Sequence, residues 1–270
     1  MPTKTGTRGS DTIDLRNELE TPPDGWPAHQ AWWIIDAKRG ADVVYGSGYN
    51  DQISGGAGND TLNGFAGNDS LDGGAGLDQL FGGTGDDTLH GGGGDDVLSG
   101  EAGDDWITGD NGKDKLSGGD GDDGLFGGAG RDVLSGDAGN DTLFGETGAD
   151  TISGGAGSDI LIGEAGNDIY TFDSLGFDII NEGVGASGGA RTGTAYDRAD
   201  RLVVAYTAAD VEEKRQGDDL VISSKSDLAA DGHIDHSVTI KNFFLGGHYV
   251  IEKLITSDHV TIDLTGLLVV

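Results

Sequence analysis

The chain has 270 residues, of which 48 are acidic and 16 basic, and its formal net charge is −32. Nucleic acid and anionic membranes repel such a polyanion, so neither is expected as a partner. Cysteine is absent, which excludes disulfide bonds, and no apolar run approaches the length of a membrane span. The amino terminus lacks the apolar segment of a secretory signal peptide, so we expect no signal of that class.

Residues 1–36 form the first segment. Residues 6–14 read GTRGSDTID, an outlying copy of a nine-residue unit that dominates the chain further on. The following stretch contains three prolines and three tryptophans, Trp26, Trp32 and Trp33. Two interpretations remain open. The favoured one is a cap over the open end of a repeat structure, since terminal repeats are atypical. The other is an aromatic platform for a sugar.

Residues 37–54 contain two degenerate copies of the same unit. The first copy, residues 37–45, keeps Gly40 and Asp42 at the expected places. The second, residues 46–54, has Tyr49 where the unit has glycine but keeps Asp51. Because tyrosine disfavours the positive φ that glycine can take, a metal site in the Tyr49 loop is doubtful on sequence grounds.

Residues 55–171 are thirteen nine-residue units without insertion or deletion, which we call the repeat array. The consensus is G-G-x-G-x-D-x-U-x, in which U is a large apolar residue, and we number its positions 1 to 9. Positions 1 and 4 are Gly and position 6 is Asp in every unit, while position 8 is Leu or Ile in twelve units and Tyr170 in the last. A fixed period of this kind indicates a repeat architecture.

The unit combines a glycine-rich acidic loop with a short β segment. Since side chains alternate between the two faces of a strand, position 8 is expected to point inward and positions 7 and 9 outward, Trp106 among them. Glycine at positions 1 and 4 is expected to allow positive φ and close approach of successive turns. An 18-residue turn would place Leu62, Leu80 and their successors in one sheet, and Ile53, Leu71 and theirs in the other.

The charge of the repeat array opposes folding without a counter-ion. It carries 24 acidic and three basic residues, a net charge of −21. Carboxylates stacked at strand spacing, about 4.8 Å, repel one another. Calcium fits the requirement because it takes six to eight oxygen ligands in flexible geometry, whereas magnesium demands a tight octahedron. Soft ligands are absent from the array, in which His90 is the only histidine.

The motif resembles the RTX (haemolysin-type calcium-binding) nonapeptide repeat. The resemblance implies an all-β fold, a right-handed parallel β-roll with two repeats per turn and several Ca²⁺ ions between stacked loops. It implies ligands from the position-6 carboxylates and from loop carbonyls, for which we take position 4. The predicted carboxylate ligands are Asp51, Asp60, Asp69, Asp78, Asp87, Asp96, Asp105, Asp114, Asp123, Asp132, Asp141, Asp150, Asp159 and Asp168. The predicted carbonyl ligands are Gly58, Gly67, Gly76, Gly85, Gly94, Gly103, Gly112, Gly121, Gly130, Gly139, Gly148 and Gly157.

The remainder of the chain has a different composition. Residues 172–183 continue as a strand without the glycine loop, and residues 183–199 read as a loop. Residues 201–206, 219–223, 237–240, 249–255 and 260–264 are predicted strands because of their β-branched content, and residues 208–214 are predicted to be a short helix. The region resembles the small β-rich domain that follows RTX arrays. Its apolar end, VTIDLTGLLVV, resembles the uncleaved signal of type I secretion substrates, although an ordinary edge strand is the alternative.

The sequence thus predicts three domains: an amino-terminal cap (1–36), a calcium-binding β-roll (37–182) and a carboxyl-terminal β-rich cap with a secretion signal (183–270). The first functional hypothesis is a secreted, extracellular module that folds on binding calcium after export by type I secretion machinery. The alternatives are an adhesin-type module that binds extracellular polysaccharide through Trp26, Trp32, Trp33 and Trp106, or the tail of a larger secreted enzyme. We found no catalytic motif in a fitting context and expect no enzymatic activity of this chain.

Overall fold

The computed structural model describes residues 3–16, 33–172, 177–180, 201–204, 211–216, 219–224, 237–240, 253–255 and 261–263. Every element in these ranges is a β-strand, and the strands form a parallel β-solenoid of about eight turns. None of the described residues belongs to a helix that is long and apolar enough to cross a membrane. The predicted fold class, a parallel β-roll, is confirmed.

Successive strands belong alternately to two sheets, so each turn contributes one strand to each. Sheet A contains Thr3–Thr5 (β1), Trp33–Asp36 (β3), Asp51–Ala57 (β5), Ser70–Ala75 (β7), Thr88–Gly93 (β9), Trp106–Gly112 (β11), Gly124–Gly130 (β13), Thr142–Gly148 (β15), Ile160–Ile162 (β17), Ala165–Gly166 (β18) and Phe177–Ile180 (β20). Sheet B contains Thr12–Asp14 (β2), Val43–Tyr45 (β4), Thr61–Ala66 (β6), Gln79–Thr84 (β8), Val97–Ala102 (β10), Lys115–Asp120 (β12), Val133–Ala138 (β14), Thr151–Ala156 (β16) and Ile169–Phe172 (β19).

The core is a double row of position-8 side chains. The parallel register pairs Leu62 with Leu80 in sheet B and Ile53 with Leu71 in sheet A, so each residue lies beside its equivalent 18 residues later. These side chains are at most 2% exposed from Ile53 through Tyr170. Positions 7 and 9 point outward, as predicted, and Trp106 is 53% exposed. The nine-residue period therefore places one aliphatic side chain per half-turn in the core.

Glycine serves two different purposes in the loops. Position 4 adopts positive φ in most turns, for example 141° at Gly94, and position 2 does so as well, including φ of 76° at Glu101. The expectation of positive φ at position 1 is wrong, because none of these glycines adopts it. Position 1 points inward instead, and a Cβ at Gly91 would lie 2.7 Å from Asp96 Oδ2. Close packing, and not backbone conformation, requires glycine there.

The described part of the carboxyl-terminal region extends both sheets. Arg201–Val204 (β21), Lys253–Ile255 (β25) and Thr261–Asp263 (β26) continue sheet B. Val211–Gln216 (β22), Asp219–Ser224 (β23) and Ser237–Ile240 (β24) continue sheet A. The described residues of all five predicted strand segments are strands; residues 205–206, 249–252, 260 and 264 lie outside the described ranges. The predicted helix at 208–214 is wrong where the structure describes it, because β22 begins at Val211 and pairs antiparallel with β23.

Candidate metal centre

The position-6 aspartates form two continuous ladders along the solenoid. Alternation within the strand that starts at position 7 turns position 6 inward, and these side chains are at most 3% exposed. In each ladder, the Oδ1 atom accepts a hydrogen bond from the backbone N–H of the aspartate one turn earlier. Asp60 N–H donates to Asp78 Oδ1, and Asp69 N–H donates to Asp87 Oδ1. These distances are 2.6–2.9 Å from Asp42 to Asp168.

The second carboxylate oxygen, Oδ2, is left without a donor. It is buried and has no hydrogen-bond partner in Asp42, Asp60, Asp69, Asp78, Asp87, Asp96, Asp105, Asp114, Asp123, Asp132, Asp141 and Asp150. A buried, unpartnered carboxylate oxygen is costly, since burial removes its water and nothing replaces it. The repetition of this cost in turn after turn indicates that the loops are built for a further group that supplies positive charge.

Burial has a direct electrostatic consequence. Desolvation, the largest cause, raises the pKa of Asp69 to about 8, and neighbouring Asp87 and Asp51 add to the rise. Desolvation likewise raises the pKa of Asp105 and Asp123 to about 7, with repulsion from nearby aspartates as a further cause. The folded loops hold carboxylates that resist ionisation until a cation compensates them.

Backbone carbonyls lie close to the unpartnered oxygens. A Cβ placed at Gly55 would meet Asp60 Oδ2 at 2.5 Å and the Gly73 carbonyl oxygen at 2.8 Å. The same pair recurs at Gly91, with Asp96 Oδ2 and the Gly109 carbonyl oxygen. Because glycine has no side chain, a carboxylate oxygen and a position-1 carbonyl of the next turn face one small space. This donor set is hard and oxygen-only, which fits calcium.

The described residues contain no group of three His, Asp or Glu side chains that converges on one metal position. Any ion in the loops would therefore combine one or two carboxylates with backbone oxygens. The position-4 carbonyls also point toward the next turn, since the Gly76 carbonyl oxygen lies 1.4 Å from where a Cβ of Gly94 would be. Sequence reasoning proposed only position 4, because carbonyl directions depend on φ and ψ values that residue types do not reveal.

Comparison with known proteins supports calcium as the ion that these loops bind. The sequence model of the RTX calcium-binding nonapeptide repeat matches residues 36–71, 45–80, 72–107, 99–134 and 135–170, which together span half of the chain. The chain belongs to the RTX repeat family. Its repeat array is a calcium-binding β-roll of that family.

Two solved structures resemble the RTX chain over most of its length. The extracellular lipase LipA from Serratia marcescens is 23% identical with a TM-score of 0.34, over 84% of this chain and 41% of the lipase. A hyperactive, Ca²⁺-dependent, β-helical antifreeze protein from an Antarctic bacterium is 16% identical with a TM-score of 0.27, over 94% of both chains. The RTX chain thus spans less than half of the lipase. No curated protein matches the sequence.

Two RTX loops differ from the rest in how Oδ2 is satisfied. In the loop that precedes β5, Asp51 Oδ2 accepts hydrogen bonds from the Ser47 N–H at 2.7 Å and the Ser47 hydroxyl at 2.9 Å. In the outlying unit, Thr7 makes the same two bonds to Asp11 Oδ2. Ser47 and Thr7 both occupy position 2, where most units have glycine or an acidic residue. Asp51 therefore already has donors for Oδ2, unlike Asp60 and its unpartnered equivalents.

The structure adds two aspartates to the ladders beyond those predicted from the sequence. Asp42 is buried with an unpartnered Oδ2 and accepts the Asp11 N–H through Oδ1, so it extends one ladder into the degenerate region. Asp178 extends the other ladder, because its Oδ1 accepts the Asp159 N–H at 3.1 Å. The spacing from Asp159 is 19 residues instead of 18, which hid Asp178 from a search at fixed period. The sequence D-I-I at 178–180, parallel to D-I-L at 159–161, was the available signal.

The tryptophans proposed as sugar contacts differ in their exposure to solvent where the structure describes them. Trp33 is only 4% exposed and packs in the core, so it cannot be a surface contact. Trp26 and Trp32 lie outside the described residues. Trp106 is exposed on the outward face of sheet A.

Proposed function

We propose that this chain is a secreted, extracellular module that folds by binding several calcium ions after export through type I secretion machinery. The observation that supports it is the row of buried Oδ2 atoms that lack a partner. Bound calcium would supply the positive charge between stacked carboxylates. Asp60, Asp78 and their equivalents would hold it together with glycine carbonyls of the same and the next turn.

Calcium-dependent folding follows from linkage. An ion that binds the folded loops and not the unfolded chain stabilises folding by mass action, and the effect accumulates over many sites. Extracellular calcium modules bind with dissociation constants of about 10⁻⁴–10⁻³ M, above cytosolic calcium and near extracellular calcium. The chain would therefore remain export-competent inside the cell and fold outside.

Far-UV circular dichroism during a calcium titration tests the folding step, with magnesium as the control cation. We expect a cooperative coil-to-β transition near millimolar calcium that a chelator reverses and magnesium does not reproduce. A chain that is fully β in excess chelator would refute calcium-dependent folding, because the stacked carboxylates would then be tolerated without a counter-ion.

Export is tested separately. The chain is expressed in a bacterium with and without a type I transporter, and the medium is assayed for the full-length protein. We expect release only with the transporter, and loss of release when residues 253–270 are removed. Release of the truncated chain at the normal level would place the signal elsewhere and contradict this part of the proposal.

A further inference from the structure

Trp106 lies on the outward side of sheet A and contacts a residue of the next turn. The register of β11 and β13 pairs Trp106 with Gly124, the only glycine at position 7 of the repeat array. A Cβ at Gly124 would lie 3.1 Å from Cε3 and 3.3 Å from Cζ3 of the indole. One edge of the indole therefore lies against Gly124, and Trp106 as a whole remains 53% exposed.

Two phenylalanines of the following turns continue an aromatic row that begins at Trp106. The Trp106 and Phe126 rings have their centroids 4.5 Å apart at an interplanar angle of 33°, and Phe126 stacks on Phe144 at 4.9 Å and 7°. Such pairs stabilise one another beyond simple burial of apolar surface. Because Phe126 and Phe144 stack face to face, they cover each other, and Trp106 offers the open aromatic surface of this ladder.

A recess of about 470 Å³ adjoins the ladder, lined on the aromatic side by Trp106 and Phe126. Its floor includes Gly128, which separates the position-2 side chains Asp110 and Glu146 of the turns before and after. The remaining lining carries hydrogen-bonding groups from Thr108, Asn111 and Thr147.

We propose that Trp106 and the recess bounded by Asp110 and Glu146 form a binding site for a neutral polysaccharide. A pyranose ring has an apolar C–H face that packs on a flat aromatic ring, and hydroxyl groups at its rim. Carboxylates and amides at the edge of an aromatic surface accept and donate hydrogen bonds to such hydroxyls.

Charge decides among classes of glycan. The recess contains two carboxylates and no basic side chain among its described lining residues. The chain as a whole is strongly anionic. Uronic or sulfated polymers are therefore repelled, and neutral polymers are favoured. The proposed glycan site needs a folded sheet A but uses no calcium ligand. An experiment can therefore refute glycan binding and still agree with calcium-dependent folding.

Affinity electrophoresis tests the site in gels that contain calcium and one polysaccharide each: laminarin, mannan, xylan, hydroxyethyl cellulose, and alginate as an anionic probe. We expect at least one neutral polymer to retard the full chain. Trp106→Ala should weaken that binding on the order of tenfold or more, by loss of the stacking surface. Asp110→Asn with Glu146→Gln should also change it. Phe81→Ala, a half-buried aromatic change on sheet B, serves as the matched control.

The possible outcomes of the electrophoresis distinguish loss of glycan binding from loss of the fold. Circular dichroism in calcium shows whether each variant keeps the native β signal, and Trp106→Phe provides a second variant that retains an aromatic ring. Retardation by neutral polymer that is lost in Trp106→Ala, reduced in Trp106→Phe and kept in Phe81→Ala supports the site. Absence of retardation by every neutral polymer, equal retardation of Trp106→Ala and Phe81→Ala, or binding to alginate alone would overturn it.

Discussion

At the scale of single residues, the partner of one carboxylate oxygen decides whether a loop needs a cation. Asp60 and Asp51 occupy the same position, and both are buried. Asp60 Oδ2 has no donor, whereas Asp51 Oδ2 has two from Ser47. The N–H and the hydroxyl of one residue at position 2 therefore provide, by neutral hydrogen bonds, what the other loops would obtain from calcium.

Replacing Ser47 with glycine should create an additional calcium site. The substitution restores the residue common at position 2 and removes the hydroxyl donor at 2.9 Å, leaving Asp51 Oδ2 closer to the state of its equivalents. We expect the variant to bind about one more ion per chain, measured by elemental analysis after equilibrium dialysis. Ser54→Gly, a change at position 9 of the same unit, should leave the number unchanged. An unaltered ion count in Ser47→Gly would contradict this explanation.

Adjacent glycines in one loop should differ sharply in their tolerance of a methyl group. Gly94 has φ of 141°, and its Cβ would lie 1.4 Å from the Gly76 carbonyl oxygen. Gly94→Ala should therefore destabilise the calcium-bound protein by about 2–4 kcal/mol, because both the backbone and the contact between turns must shift. Gly93 has no neighbour within 4 Å of its Cβ position, and Gly93→Ala should cost less than about 0.5 kcal/mol. Urea unfolding in saturating calcium measures both, and equal effects would show that turn contact is unimportant.

At the scale of the elements, the two edges of the solenoid differ in their outer row. On the edge where sheet B passes to sheet A, position 5 carries Asn68, Asp86, Asp104, Asp122 and Asn140. There, Asp86 Oδ1 accepts the Asp104 N–H, and Asp104 Oδ1 accepts the Asp122 N–H. On the opposite edge, the same position carries one aspartate, Asp95, and the two cations Lys113 and Arg131. The potential around the buried ladder is therefore more negative on the first edge than on the second.

This difference predicts two classes of calcium site. Burial is the largest cause that raises the pKa of Asp105 and of Asp150; Asp86 and Asp104 add to the rise at Asp105, whereas Arg131 opposes it at Asp150. The combined changes Lys113→Asn and Arg131→Asn should tighten the weaker class roughly two- to tenfold at low salt, since each removes a cation near a divalent ion. Isothermal titration calorimetry should resolve the shift. Lys115→Asn, an exposed cation on strand β12, should have a smaller effect, and an equal one would refute the assignment to edges.

Much of this arrangement follows from a strict nine-residue period. The period identified the inward row from Ile53 to Tyr170, the division into two sheets and the repeated aspartates, because each depends only on which residues repeat; it did not reveal that the aspartates are buried. It could not identify Asp178, which a single inserted residue displaces, or the hydrogen bonds that satisfy Asp51. Outside the repeat array, the helix predicted at 208–214 is wrong. Glu and Lys favour a helix in isolation there, but pairing with β23 imposes a strand. The helix preference of these residues is overridden by pairing with a neighbouring strand, which exists only in the folded chain.

At the scale of the whole molecule, pH and calcium act on the same carboxylates in opposite directions. In the metal-free fold, burial raises the pKa of Asp69 to about 8 and of Asp87, Asp105, Asp114, Asp123, Asp141 and Asp150 to about 7, against 3.8 as the ordinary value. The folded state therefore binds more protons than the unfolded chain between these values. The stabilisation that these groups contribute to the metal-free fold is fully present below about pH 4 and is lost as pH rises through 7 to 8.

The calcium-free protein should accordingly gain β structure on acidification. After exhaustive dialysis against calcium-free buffer, we expect a stronger β signal in circular dichroism at pH 5.5 than at pH 8. Calcium should reverse the order, because ionised carboxylates bind it more tightly, so the calcium midpoint should fall as pH rises. Calcium-free spectra that are identical at both pH values would show that the aspartates ionise without cost to the fold.

The ladders of aspartate give the solenoid a direction. Each position-6 N–H is satisfied by the carboxylate of the following turn, so the Asp132 N–H relies on Asp150 and never the reverse. Removing turns from the amino end would leave every remaining aspartate N–H of a ladder with its carboxylate, whereas cutting within the repeat array from the carboxyl end would strip that acceptor from a buried aspartate N–H at the new terminus. As far as the aspartate ladders are concerned, the repeat array should therefore tolerate shortening at its amino end better than at its carboxyl end.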